Sequence, residues 1–246
     1  MSRFFLLLGK ELREERNWIL FSSIALFLLF ALFLLRSGKW HKGSATVIYF
    51  LIVSVSIFIL SIVRGFGLLK KEWDSRTIIY LRSLPAGGYE VALSKFTSFV
   101  VQIGLFAALG LILNYGLFSL ESLDISGFGF RSFFLVYVSA FFGSLVFFSV
   151  PFIAYVVSKS TARLGKLLSI SVLLALVYII PKLHKFFVRL LPFLPKFQIF
   201  KPEELAQRGL TIHPSSADLA SYIFFTVISL ALILLSGFLL EKKVEI

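Results

Sequence analysis

Three histidines, His41, His184 and His213, could ligate a metal or a haem iron. They are few and far apart, and scattered solvent-facing histidine is the plainer reading. The chain has no cysteine, which excludes disulfides, thiolate metal sites and cysteine nucleophiles. A phosphate loop of the form G-x-x-x-x-G-K-[ST] is missing: Gly9-Lys10, Gly38-Lys39 and Gly165-Lys166 are followed by Glu11, Trp40 and Leu167. Without that backbone cradle, any ATP hydrolysis serving this chain has to come from another one. Neither H-E-x-x-H nor G-x-S-x-G occurs. Charged and turn-forming residues gather instead in LLKKEWDSRTIIYLRSLPAGGYEVALSK, from Leu68 to Lys95. Glu72, Asp74, Arg76 and Arg82 offer both signs of charge to a partner surface. A solvated loop explains them equally well.

The surroundings of that segment are oily. Of 246 residues 58% are hydrophobic and only 15% charged, 30 are Phe, and the mean hydropathy is +0.93. Uncharged runs occur at Trp18–Leu35, Ala45–Val63, Phe96–Leu120, Ser132–Val157, Leu167–Ile180 and Leu219–Leu240. A bilayer core needs about 20 apolar residues in a helix, so the expected fold class is all-α: a polytopic membrane protein with six transmembrane helices. The fifth run is short and reaches across if Arg163 and Lys166 snorkel. Backbone groups in lipid need internal partners, which requires helices or a barrel, and the alternating strands of a barrel are absent. Residues 35–43 lack the small-residue site of a cleaved signal.

Basic residues cluster at the ends of the runs. The net charge of +12, which in a soluble chain would suggest nucleic acid, here suits anionic lipid headgroups. With the N-terminus inside, 15 Lys and Arg fall on the inner side and 10 on the outer. That bias places both termini in the cytoplasm, although Arg36, Lys39 and Lys42 run against it. No Asp, Glu, Lys, Arg or His lies inside the uncharged runs. This weighs against an ion-coupled transporter or a membrane-embedded enzyme. Ser54, Ser61, Gln102 and Asn114 could line a path or, as small and polar residues in spans more often do, mediate helix packing.

The remaining segments have readable local character. At the N-terminus Phe4, Leu8 and Leu12 form a stripe widened by Phe5, and Lys10 can pair with Glu14. Residues 1–17 are therefore expected to form an interfacial helix, 18–240 the six-helix domain and 241–246 a cytoplasmic tail, all in one transmembrane domain. In the charged segment a helix should leave the membrane, break at Pro85, turn at Gly87-Gly88 and return through Tyr89–Lys95. Residues 182–218 read as a long outer segment, in which FFVRLL at Phe186–Leu191 either dips into the leaflet or packs in a soluble cap.

The layout resembles the permease subunits of type-2 ABC exporters. That family has six spans and an N-terminal interfacial helix. Between spans two and three it carries an acidic residue, Gly-Thr, a Leu-rich stretch, Ser-x-Pro and Gly-Lys. Glu72, Thr77, Leu81, Ser83, Pro85 and Lys95 match; Arg76, Ser94 and Gly87-Gly88 depart from it. The resemblance implies a cytoplasmic coupling helix, with Glu72, Trp73, Asp74, Arg76, Thr77, Ser83 and Pro85 against a separate ATP-binding subunit. It also implies a second permease subunit, surrounding membrane lipids, and export of a hydrophobic or amphipathic substrate across the cell membrane. ATP and Mg would be bound by the partner, with no cofactor or nucleic acid on this chain. The haem-export permeases of cytochrome maturation share the layout, and a non-transporting membrane scaffold or assembly factor would share the composition.

Overall fold

The computed structural model describes residues 3–37, 44–74, 87–120, 130–160, 164–198 and 216–242. Seven helices appear there: α1 (Arg3–Glu14), α2 (Arg16–Ser37), α3 (Ser44–Asp74), α4 (Gly88–Leu120), α5 (Phe130–Ser160), α6 (Gly165–Leu190) and α7 (Leu219–Lys242). Six of them, α2 to α7, are long and apolar enough to cross a bilayer. The chain is thus an α-helical, multi-pass membrane protein. A two-stranded antiparallel pair, β1 (Lys196–Gln198) with β2 (Ser216–Asp218), ties the end of α6 to the start of α7.

The helices outrun the uncharged stretches. At 1.5 Å per residue, the 31 residues of α3 span about 46 Å, well beyond a hydrocarbon core of about 30 Å. α3 continues from Val63 to Asp74, and α4 starts at Gly88, eight residues before Phe96. Charged Arg64, Glu72 and Lys95 therefore sit on the same continuous helices as the spans.

The fifth span corrects the sequence reading most. α6 does not stop before Pro181 but runs on to Leu190, so the helix is long enough to cross with Lys166, Lys182 and Lys185 snorkelling at its ends, and residues 182–190 are helix rather than outer loop. Leu183, Phe186, Phe187 and Leu190 repeat at helical spacing. Proline inside a membrane helix is tolerated where neighbouring helices re-satisfy the backbone. Pro181 borders an apolar crevice of about 420 Å³ between α5 and α6, shared with Val150, Pro151, Val177 and His184.

The core lies among α3, α4, α5 and α7. Phe99 of α4 stacks on Phe148 of α5 with ring centroids 4.1 Å apart, and Phe148 stacks on Phe152. Where α4 meets the end of α7, the backbones approach closely: a Cβ on Gly237 would lie 2.8 Å from the Tyr89 Cα, and one on Gly88 would strike the Gly237 carbonyl. Gly88 is thus there for close packing. Gly87 caps the helix: its carbonyl accepts from the Glu90 and Val91 amides, and its own N–H donates to Glu90 Oε2 at 3.2 Å. This is one half of a capping box, so the turn expected at Gly87-Gly88 is a helix start.

Candidate functional site

At the end of the bundle where α3 terminates and α4 begins, charged side chains are buried together. Lys95 is 1% exposed, and its Nζ donates to Glu11 Oε1 at 2.9 Å and to Glu72 Oε1 at 2.8 Å. One ammonium therefore ties α1, α3 and α4. Arg64 Nη2 donates to Glu15 at 2.5 Å, and its guanidinium lies 3.9 Å from the centre of the Trp18 ring. Arg64 is worth more here than a surface cation, since it is paired and stacked in a partly dry site. At the rim, Lys71 and Lys10 meet Glu14 at 3.3 and 3.5 Å, and Lys10 reaches Glu72 at 3.6 Å.

The sequence of α1 explains the arrangement. Leu7 and Glu11 form its buried line, and Glu15, four residues on and just past its end, continues it, so the stripe that packs turns acidic toward the C-terminus. The expected stripe Phe4, Leu8 and Leu12 is half-buried, and Phe5 and Leu6 are exposed. The Lys10–Glu14 pair forms as expected. Glu15 also joins α1 to α2: its N–H donates to the Glu11 carbonyl, and its carbonyl accepts from Ile19, both at 3.0 Å.

Burial pushes the Glu11 carboxyl above the usual carboxylate range; Lys95 opposes this, and the nearby Glu72 adds to it. Glu14 goes the other way. Partial burial would raise it, but Lys10 and Lys71 together hold it below its ordinary value.

The residues singled out in the sequence fall into several places. Glu72 is 4% exposed and turned into the ion cluster, not outward as a docking charge. Trp73 is half-buried and packs edge-on against Tyr155 of α5, with ring centroids 5.8 Å apart. Asp74, the last residue of α3, is exposed. Arg76, Thr77, Ser83 and Pro85 lie outside the described residues, as do His41 and His213.

Of the polar residues within spans, Ser61 donates back to the Ile57 carbonyl at 2.6 Å, and Gln102 donates to Ser98 at 3.1 Å. Ser54 Oγ and both amide atoms of Asn114 have no hydrogen-bond partner among the described residues. None of these four lines the α5–α6 crevice. His184 stacks on Phe225 and shares a 2.9 Å hydrogen bond with Ser221. Among the described residues there is no cluster of metal-binding side chains.

Glu11, Glu15 and Arg64 are the site residues that sequence reasoning missed. The signal was present as two acids four apart in and just after α1, with charges of both signs on the extensions of two spans. Compared with known proteins, the chain matches no protein-family model and no curated protein.

Proposed function

We propose that the chain is the permease subunit of an ATP-driven exporter of the type-2 ABC kind, energised by a separate ATP-binding subunit. The observation that carries this reading is the buried Glu11–Lys95–Glu72 cluster. It fixes the outgoing end of α3 to the incoming end of α4 and to α1. Residues 75–86 join those two ends in sequence, so a push on that segment would be delivered to two spans at once. A merely solvated loop has no need of so stiff a mounting. Energy coupling through a partner also fits the absence of a phosphate loop.

In this reading residues 75–86 form the coupling helix, and Asp74, at the exposed tip of α3, meets the ATP-binding subunit. Glu72 serves from inside by holding the mounting. α1 lies at the cytoplasmic face of the cell membrane, with exposed Phe5 and Leu6 turned to the leaflet and both termini inside. α6, the least buried of the six long helices, gives its open side to lipid or to a second permease subunit. A substrate with a substantial apolar part suits the greasy α5–α6 crevice. ATP binding then shifts the populations of two arrangements of the spans by its differential affinity for them.

The test is a pair of substitutions outside the ion cluster, Asp74→Lys and Pro85→Ala, compared at equal membrane expression. Charge reversal at an interface costs several kcal/mol when it juxtaposes like charges, and Pro85→Ala lets a helix continue where it should break. Reduced ATPase binding or uncoupled ATP turnover is expected. Normal binding and transport in both variants would make the segment a solvated loop.

A further inference from the structure

We propose that Tyr49, Asn114 and Tyr137 form a closed hydration site inside the bundle, where ordered water bridges α3, α4 and α5. All three side chains are essentially buried, at 0%, 0% and 2% exposure. The two phenol oxygens and both amide atoms of Asn114 have no hydrogen-bond partner among the described residues.

Their placement is shared. α3 and α4 run antiparallel, since Glu72 meets Lys95 near one end and Val53 meets Gly110 further along. One turn beyond that second contact, Tyr49 on α3 comes opposite Asn114 on α4. Tyr137 of α5 completes the layer: its oxygen lies 3.6 Å from where a Gly110 Cβ would be. The depth agrees as well. Tyr49 is five residues inside the start of α3, Asn114 six inside the end of α4 and Tyr137 seven inside the start of α5. At 1.5 Å per residue, all three lie about 8–10 Å below the helix ends farthest from the ion cluster.

Two phenols and a primary amide are each able to donate and accept, and together they can make several hydrogen bonds. Left dry in hydrocarbon such groups are costly. A buried water with two to four polar partners is the usual solution. Gly110 lets the three helices close up at this depth: a Cβ on it would lie 2.7 Å from Val53 Cγ1 and 3.3 Å from the Tyr137 ring, so its absence brings the Tyr137 hydroxyl against α4. The surrounding wall is aromatic and apolar. Phe33 contacts Tyr49 and Phe50 contacts Tyr137, with ring centroids 6.1 and 5.7 Å apart. This inference does not depend on the transport reading.

The experiment is X-ray radiolysis of the full chain in lipid nanodiscs, in which hydroxyl radicals born from bound water label the side chains beside it. Phe99 and Phe148, buried and stacked on each other, serve as the dry reference. Oxidation of Tyr49 and Tyr137 at least several-fold faster than of Phe99 and Phe148 is expected. Asn114→Leu should slow labelling of both tyrosines toward the reference rate. Tyrosine rates no higher than those of the two phenylalanines in the unmodified protein would overturn the proposal without any variant. So would fast labelling that Asn114→Leu leaves unchanged, because the amide would then hold nothing.

Discussion

Lys95 is the residue on which the most structure depends. Replacing it by Met keeps the length of the side chain but leaves Glu11 and Glu72 facing each other in a dry site. Removing one partner of a buried ion cluster typically costs about 3–5 kcal/mol, whereas neutralising the whole set is close to neutral. Lys95→Met should therefore lower thermal stability in detergent sharply. The triple variant Glu11→Gln, Glu72→Gln, Lys95→Met should recover most of the loss. Glu72→Lys belongs with the damaging changes, as it sets two ammonium groups together where one is accommodated. Glu11 adds a pH dependence. Its folded-state pKa lies above the ordinary 4.5, so its contribution to α1 docking is fully present below that value and is lost as pH rises through the raised pKa. Glu14, held below 4.5, contributes above that value and loses its contribution at more acidic pH. Above 4.5 the Glu14 contribution is already complete, so the change that remains is that of Glu11, facing Lys95, Glu72 and Lys10, with the Glu15–Arg64 pair beyond. Hydrogen exchange of α1 amides should slow as pH is lowered through the raised Glu11 pKa toward 4.5, after correction for intrinsic exchange, and Glu11→Gln should flatten the response. The partners of Lys95 could not be read from sequence: Glu11 is 84 residues away, and only packing brings it near.

The helices were more legible than the residues between them. Runs of about 20 apolar residues announce themselves through hydropathy alone, because lipid leaves the backbone little choice. Their ends were not legible, since a charged residue ends an apolar run without ending a helix; Arg64, Glu72 and Lys95 show this. α6 failed for a related reason. Pro181 reads as a stop in water, but within the bundle the helix carries on, with Phe187 packed beside Phe224 of α7. α1 was read by its greasiest stripe, while the acidic line Leu7, Glu11, Glu15 is what the bundle accepts. Close helix approach makes a prediction at this scale. Gly110→Ala forces the new methyl group against Val53 Cγ1 and should destabilise the protein by about 1–3 kcal/mol. Val53→Ala in the same chain should restore part of that, a coupling expected of residues in contact. Simple additivity of the two losses in a thermal-shift series would contradict the packing described for α3 and α4.

At the scale of the whole molecule, six apolar helices make a multi-pass membrane protein, and orientation rests on the distribution of Lys and Arg. Since the chain has no cysteine, a single one in place of Arg3, and separately of Lys243, can be probed with an impermeant thiol reagent in intact cells. Both should stay unlabelled. Labelling of both would invert the orientation, and labelling of one would break the pairing of the termini. The permease assignment makes the largest claim, and one measurement addresses it most directly. The tagged chain is extracted from its native membrane in a mild detergent, and the stoichiometry and ATP turnover of whatever remains bound are determined. The account predicts a distinct chain carrying a G-x-x-x-x-G-K-[ST] loop in about equal amount, with ATP turnover that vanishes when that chain is removed. A folded, monodisperse preparation that holds no nucleotide-binding chain, and does not acquire one from its own membrane, would contradict it.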